Sequence, residues 1–222
     1  MDLERYEYER KRTYKEYFFY SDGPKGHVLK VVHFILVYAY PNSIYHLVFG
    51  DWNEKRNAID DLSVTNNGDA EKVFATVATI VVDFIDIFRN AMVYAEGSTP
   101  ARTRLYQITL SKFLHEIEPI FQVYGDINKQ QLEPFQKNAN YKGFLIARKE
   151  YIILEEQTET YMTSSNENKE EKKRIYNDRT IDGPELVDID NDPVVLRKME
   201  AARKRFEEHP VPEWILKKHN LL

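Results

Sequence analysis

The sequence contains no cysteine among its 222 residues. This absence excludes disulfide bonds, thiolate metal sites and cysteine nucleophiles, and it is typical of a reducing compartment. A long apolar run is missing too, because Asp83 and Asp86 interrupt the most apolar stretch, near residues 77–87. That stretch is predicted to be a core helix rather than a membrane span. The charged N-terminal residues do not resemble a signal peptide, so we expect a cytoplasmic protein.

Several signatures of catalysis and binding are absent as well. The chain has no Gly-x-Ser-x-Gly elbow, no Walker loop and no dinucleotide-binding glycine pattern. His115 and Glu118 lie three residues apart on a predicted helix, but no second ligand pair accompanies them, and no metal site is predicted. The net charge of −5 gives no general attraction to nucleic acid or anionic lipid. We therefore expect neither nucleic acid nor a membrane as a partner.

What the sequence does have is a clear change of hydrophobic period near residue 70. Earlier segments are short, rich in β-branched and aromatic residues and separated by turn residues, which favours antiparallel strands. Apolar residues then recur at three- and four-residue spacing, which indicates helices. Strands are predicted at residues 17–20, 27–38, 44–49, 59–64, 92–95, 121–124 and 143–148, and helices at residues 70–88 and 100–117. The predicted fold is α/β (α+β), a mixed, largely antiparallel sheet of about seven strands with two main packed helices.

The composition changes again near residue 158. Residues 163–174 contain no apolar side chain, which is typical of a solvated linker. We predict a domain over residues 1–157, a charged linker or loop over 158–192, and an amphipathic helical tail over 193–222. Asp192 is placed to cap that tail and Pro193 to begin its helix. The tail either docks on its own domain or binds a partner chain in a helix-in-groove mode.

The stretch MVYAEGSTPARTRLY, residues 92–106, is the first candidate site. Gly97 allows a turn after a buried strand, and Ser98 or Thr99 can cap the helix that follows. Free N–H groups, a hydroxyl and the cations Arg102 and Arg104 would together favour a small anion. The same residues also make an ordinary helix cap. The two arginines point about 200° apart, so at most one should face a given ligand.

The stretch TNNGD, residues 65–69, is the second candidate. Asn66, Asn67 and Gly68 suit a turn and a helix cap, and the two amides could also bind a ligand. Aspartates cluster at neighbouring turns, and a hairpin between the third and fourth strands would bring Asp51 within reach of Asp60. Such carboxylates could bind a cation or share a proton. Alternatively, the aspartates, which are Asp51, Asp60, Asp61 and Asp69, form an internal network with Arg102 and Arg104.

The element order ββββαβαββ resembles the Gcn5-related N-acetyltransferase fold. In that family a strand leads into a loop that holds the coenzyme A pyrophosphate, and the corresponding segment here is VTNNGDAEKV. A later helix of that family begins with Asn-x-x-Ala-x-x-Leu-Tyr. Ser98, Ala101, Leu105 and Tyr106 are interpreted as falling at the same steps in this chain, with Ser98 where Asn is usual. The resemblance implies a coenzyme A ester as cofactor and Tyr106 as general acid. For an enzyme of this architecture, we predict direct transfer to an amine with Asp69 or Asp61 as general base.

A closer resemblance covers roughly residues 17–149. The segments FGDWNEKRNAIDDLSVTNNGD and EGSTPARTRLYQI are similar to those of a bacterial family of unknown function, with pieces FGD, DD, TNNGD and GST-x-x-RTRLY. Two hypotheses follow. The first is a small-anion-binding or acyltransferase-like protein with its ligand between the two motifs. The second is an interaction or regulatory module of a bacterial defence or antitoxin type, acting through the tail. The sequence does not specify an oligomeric state.

Overall fold

A nine-stranded mixed sheet is the centre of the computed structural model, which describes residues 4–39, 43–63, 65–128, 131–149 and 189–219. The strands are β1 (Glu9–Arg10), β2 (Glu16–Gly23), β3 (Gly26–Tyr38), β4 (Ser43–Asn53), β5 (Ala58–Asp60), β6 (Ala91–Ala95), β7 (Phe121–Asp126), β8 (Leu132–Pro134) and β9 (Gly143–Arg148). The helices are α1 (Ala70–Ile87), α2 (Pro100–Ile117), α3 (Pro193–Glu208) and α4 (Glu213–Lys218), with a short 3₁₀ turn at Ile189–Asn191 before α3.

The strands lie in the order β1-β2-β3-β4-β6-β9-β7-β8, and β5 pairs separately with β4. Only the pairing of β4 with β6 is parallel, and every other pairing in the described sheet is antiparallel. The predicted mixed, largely antiparallel α+β fold is therefore confirmed. The two- and three-residue strands β1 and β8 were not predicted, because such short segments have no readable period. The suggested continuation of β9 through residues 151–154 lies outside the described residues.

Helices α1 and α2 cover one face of the sheet. Strand residues alternate between faces, so every second residue of β3 and β4 meets these helices while the others face away. Phe34 of β3, for example, stacks on Phe84 of α1 with ring centroids 3.9 Å apart. Thr99 caps α2 by accepting a hydrogen bond from the Arg102 N–H at 3.3 Å, and Pro100 occupies the first turn, as predicted.

Helices α3 and α4 cover the opposite face of the same sheet. Phe206 and Ile215 are fully buried against strand residues such as Met92, Tyr94 and Tyr124. Asp192 caps α3 as predicted, because one carboxylate oxygen accepts the N–H of Val194 at 2.8 Å. The tail thus packs on the sheet of its own chain. No helix among the described residues combines the length and the hydropathy that a membrane crossing requires.

A buried ion pair fastens α3 to the sheet. Arg205 donates through Nε to the carboxylate of Asp126 at 3.0 Å, and the two side chains are 4% and 0% exposed. The Tyr94 hydroxyl donates to the same carboxylate oxygen at 3.1 Å. A buried charge is costly unless it is paired. The ion pair therefore favours the one position of α3 in which Arg205 meets Asp126, in addition to the apolar contacts of the helix. The sequence did not predict this ion pair, because Asp126 ends a strand 79 residues before Arg205 and no local pattern connects the two residues.

Candidate functional site

The candidate site lies where the parallel pairing of β4 and β6 ends. Leu47 and Ala95 are the last residues in register between these strands. Beyond that point β4 pairs with β5 instead, beginning with Asp51 opposite Asp60, so the predicted hairpin does bring these two residues within reach of one another. The loop that follows β5 and the loop that follows β6 therefore meet at one place. The two sequence motifs flank this junction.

Hydrogen bonds join the two loops directly. The Ser98 hydroxyl donates to the main-chain carbonyl of Asp61 at 2.5 Å. The Arg102 guanidinium donates to the same carbonyl and to that of Ser63. An internal link between the aspartate-rich loop and the arginine motif was one predicted alternative. The link exists, but Arg102 binds carbonyl oxygens in it rather than carboxylates.

The Asp61 side chain points to the other side of the junction and contacts α3. It is 2% exposed and accepts a hydrogen bond from Arg197 at 2.8 Å, with Lys198 Nζ at 3.8 Å. Lys198 also donates to the Glu96 carbonyl at 3.4 Å. Burial lowers the pKa of Lys198, and the nearby Asp61 charge opposes that change. The Asp61 carboxylate, which was predicted as a general base, is therefore already engaged by cations of α3.

The TNNGD residues are largely occupied in holding the β2–β3 hairpin. The Asn67 amide is buried, donating to Ser21 and Gly26 and accepting the Lys25 N–H at 2.8 Å. Asp69, the other residue predicted as base, accepts hydrogen bonds from Ser21 at 2.6 Å and Tyr6 at 2.8 Å. Its side chain does not cap α1. These two side chains therefore already have protein partners.

The turn that precedes α1 depends on left-handed backbone geometry. Asn66 and Gly68 have φ values of 49° and 77°, which glycine and asparagine tolerate best. Asn66 and Gly68 are both exposed in this turn. Asn66 and Gly68 were predicted to bind a ligand, but the backbone conformation of this turn is by itself enough to explain these two residue types.

The remaining residues of the arginine motif pack tightly against one another. The Gly97 N–H donates to the Thr103 hydroxyl at 3.2 Å, and a Cβ at Gly97 would lie 2.4 Å from the Thr103 nitrogen. Arg104 is exposed and donates to Gln107 of its own helix at 3.0 Å. Arg102 and Arg104 thus point in different directions, as their spacing predicted. Only Arg102 faces the junction.

An apolar cavity of about 70 Å³ lies between α1, α2 and the sheet, beside this junction. Its wall is almost entirely carbon and includes Leu47 and Ala95 at the end of the parallel pair. Helix α1 contributes Phe74, Val77, Ala78, Val81, Val82 and Ile85, and α2 contributes Tyr106, Thr109, Leu110, Phe113 and Ile117. Sequence periodicity indicated an apolar stripe on each of these helices but gave no sign that the stripes leave a cavity.

Tyr106 connects the cavity to the charged junction. Its ring lines the cavity and contacts Phe74 edge to face at 5.6 Å. Burial raises the pKa of Tyr106 to about 12, with the Arg102 charge lowering it and the Asp61 charge raising it. Arg102 lies four residues earlier on α2, on the same face of the helix as Tyr106. Its hydroxyl makes no hydrogen bond to any residue in the described part of the chain. A protonated hydroxyl in this position is available to a ligand as a donor.

The motif alignment that gave Tyr106 a catalytic role needs one correction. The acetyltransferase pattern has two residues between its Ala and Leu. This chain has three, Arg102, Thr103 and Arg104, between Ala101 and Leu105. The correspondence is thus shifted by one position, and Tyr106 is a candidate because of the cavity and the junction rather than because of that pattern.

Asp51 and Asp60 face one another across the hairpin but do not share a site. Asp51 binds Lys30 at 2.5 Å and also accepts a hydrogen bond from Thr65. Lys30 is only 6% exposed, and sequence reasoning missed it because it lies in a strand otherwise rich in apolar residues. Asp60 instead accepts hydrogen bonds from Ser63 and Leu62 and pairs with Arg56. No group of three or more potential metal ligands occurs within the described residues.

Asp60 gives the protein a predicted acid sensitivity. Hydrogen bonds from Ser63 are the main reason that the pKa of Asp60 is lowered from 3.8 to about 2. A lowered folded-state pKa contributes stability that is present above the unfolded-state value and lost as the pH falls toward about 2. We expect Asp60→Asn to lower the free energy of unfolding by about 1–2 kcal/mol at pH 6, and by progressively less between pH 4 and pH 2. Urea titrations over this range, with the exposed Glu207→Gln as control, test it; a pH-independent difference would contradict it.

The geometry can be compared with known families. A family model described as a family of unknown function, DUF6934, matches residues 2–149. The chain belongs to this DUF6934 family. The matched region contains β1 to β9, α1, α2 and the whole cavity, whereas α3 and α4 lie outside it. No curated protein and no solved structure matched the chain.

Proposed function

We propose that this DUF6934 protein binds a small carboxylate or acyl group that carries a short aliphatic chain. The chain would occupy the cavity between α1 and α2, and the oxygens would accept hydrogen bonds from Tyr106 and Arg102. The observation that carries the proposal is an apolar cavity lined by Tyr106, whose hydroxyl has no hydrogen-bond partner among the described residues, with Arg102 one helical turn away on α2. Pockets of this kind, apolar with a few placed polar groups, are typical of small-molecule sites.

The size of the cavity defines the ligand class. At about 70 Å³ it is roughly half the volume of an engineered cavity of about 150 Å³ that binds benzene. It therefore suits an ethyl or isopropyl group rather than a long acyl chain or an aromatic ring. The walls offer almost no polar partner, so the oxygens of the ligand must remain at the Tyr106 end.

The donors at that end suit a carboxylate or a carbonyl group. Because the pKa of Tyr106 is raised to about 12, its hydroxyl keeps its proton at neutral pH and can donate it in a hydrogen bond. Arg102 directs one N–H of each terminal nitrogen to the carbonyls of Asp61 and Ser63. A guanidinium has five N–H groups in all, so donors remain for a ligand oxygen.

We propose binding of this ligand; if the protein also catalyses a reaction, acyl transfer is the class that such a ligand would allow. The acetyltransferase resemblance supplies that class, and a coenzyme A ester would be its donor. Of the predicted bases, Asp61 is paired with Arg197, and Asp69 is hydrogen-bonded to Ser21 and Tyr6. Because both predicted bases already have protein partners, binding and acyl transfer are tested separately, with free short carboxylates in one experiment and their coenzyme A esters in another.

No observation favours the second hypothesis, an interaction function that acts through the apolar face of the tail. The large apolar residues of that face, such as Phe206 and Ile215, are buried against the sheet of the same chain. Trp214 is the tail aromatic that remains 47% exposed. A partner would therefore have to displace the tail or use its polar side.

Tyr106→Phe tests the proposed donor. We expect wild-type protein to bind propionate, isobutyrate or the corresponding coenzyme A ester in isothermal titration calorimetry. Loss of the hydroxyl should weaken binding about tenfold, since one hydrogen bond to a charged group contributes about 1.5–3 kcal/mol and water replaces part of it. The control is Tyr20→Phe, which changes a 52% exposed ring and should leave binding unchanged. Equal affinities for wild type and Tyr106→Phe would rule out this role.

A further inference from the structure

We propose that α3, which lies outside the family-matched region, positions Arg102 in the ligand site by holding Asp61. This inference rests on the proposed function. Asp61 receives contacts from two helices at once: α2 binds its main-chain carbonyl, and α3 binds its carboxylate. The contact from α3 therefore fixes the acceptor to which the Arg102 guanidinium is attached.

Strand β5 and the loop that follows it make several contacts with α3. The Asp192 carboxylate that caps α3 also accepts the Ile59 N–H at 2.6 Å. Arg197 and Lys198, on the first turns of α3, reach the Asp61 carboxylate. The N-terminal turns of α3 thus hold residues 59–61 from one side, while α2 holds residues 61–63 from the other.

Arg197 is the residue through which this coupling can be tested. Its side chain is 55% exposed, whereas Lys198 is 10% exposed. Removing Arg197 leaves Lys198 within 3.8 Å of the Asp61 carboxylate, so that buried charge keeps a cation beside it. Arg197 lies on α3 and is not among the residues that line the cavity, so an effect on binding would be transmitted through Asp61.

A double-mutant cycle separates a role of Arg197 in positioning Arg102 from an independent contribution of Arg197 to ligand binding. We expect Arg197→Ala to weaken propionate binding about three- to tenfold, and Arg197→Lys to restore most of it. In an Arg102→Ala background, Arg197→Ala should have no further effect, because the group it positions is absent. Additive losses would overturn the proposal, as would unchanged affinity in Arg197→Ala. Arg203→Ala, an exposed arginine on the same helix, is the matched control and should bind like wild type.

Amide hydrogen exchange of the ligand-free protein distinguishes failure of this inference from failure of the proposed function. If the contact between α3 and Asp61 stabilises the start of α2, Arg197→Ala should raise the hydrogen-exchange rates of the Gly97, Arg102 and Thr103 amides severalfold. The exchange rate of the Val73 amide, which donates to the Asp69 carbonyl at the start of α1, should stay the same. If no carboxylate binds wild type, the proposed function fails, but faster exchange at these three amides still supports the coupling through Asp61. Unchanged exchange at all of them overturns the coupling even if propionate binds.

Discussion

Arg205→Ala is expected to lower the free energy of unfolding by about 3–5 kcal/mol, because it leaves the Asp126 carboxylate buried without a cation. Asp126 has no exposed surface, and one of its two oxygens has no hydrogen-bond partner in the described structure. Removing Arg205 would leave Tyr94 as its side-chain donor. The cavity left by the arginine, which also lies over the Phe206 ring at 4.4 Å, adds to the loss.

Urea denaturation followed by circular dichroism at pH 7 measures this effect. The matched control is Arg203→Ala, two residues earlier on an exposed part of α3, which should change stability by less than about 0.5 kcal/mol. A second variant, Asp126→Leu with Arg205→Met, removes both charges and should recover part of the loss, since a buried ion pair can often be replaced by apolar side chains. Equal stability of Arg205→Ala and Arg203→Ala would contradict this account of how α3 is attached.

Ala78→Leu is expected to abolish binding of short carboxylates while keeping the protein folded. Ala78 lines the cavity from α1 and is half buried, so three added carbons would occupy the space proposed for the ligand chain. We expect affinity to fall by about a hundredfold or more, while stability is unchanged or rises by up to about 1 kcal/mol because a cavity is filled.

Calorimetric titration with propionate and thermal unfolding of the free protein together measure these two effects. Ala201→Leu makes the same substitution at an exposed position of α3 and should bind like wild type. A folded Ala78→Leu protein that binds propionate with wild-type affinity would place the ligand somewhere other than the α1–α2 cavity.

The sequence predicted the regular elements well where a hydrophobic period was long enough to read. The bounds of α2 and the start of α3 agree with the residues predicted for them, and α1 ends one residue earlier. Caps at Thr99 and Asp192 were predictable because short polar side chains satisfy free N–H groups at a helix start. The strands with more than three residues also lie where turn residues delimit apolar segments.

The site was harder to predict because its decisive contacts join residues that are distant in the chain. Arg197 meets Asp61 across 136 positions, and no local pattern marks either residue as a partner. Asn67 illustrates a second difficulty. The hydrogen-bonding groups that would let it bind a ligand also let it hold a hairpin, and only the fold decides between these roles.

Isotope-filtered nuclear Overhauser spectroscopy of bound propionate would locate the ligand in the protein. We expect contacts between the ligand methyl group and the methyl groups of Val77, Val81 and Leu110, which line the cavity. We also expect the loss of these contacts in Ala78→Leu. Contacts instead to Val195 or Ile215, on the opposite face of the sheet, would contradict the account. So would the absence of any contact with the α1–α2 cavity when propionate is bound.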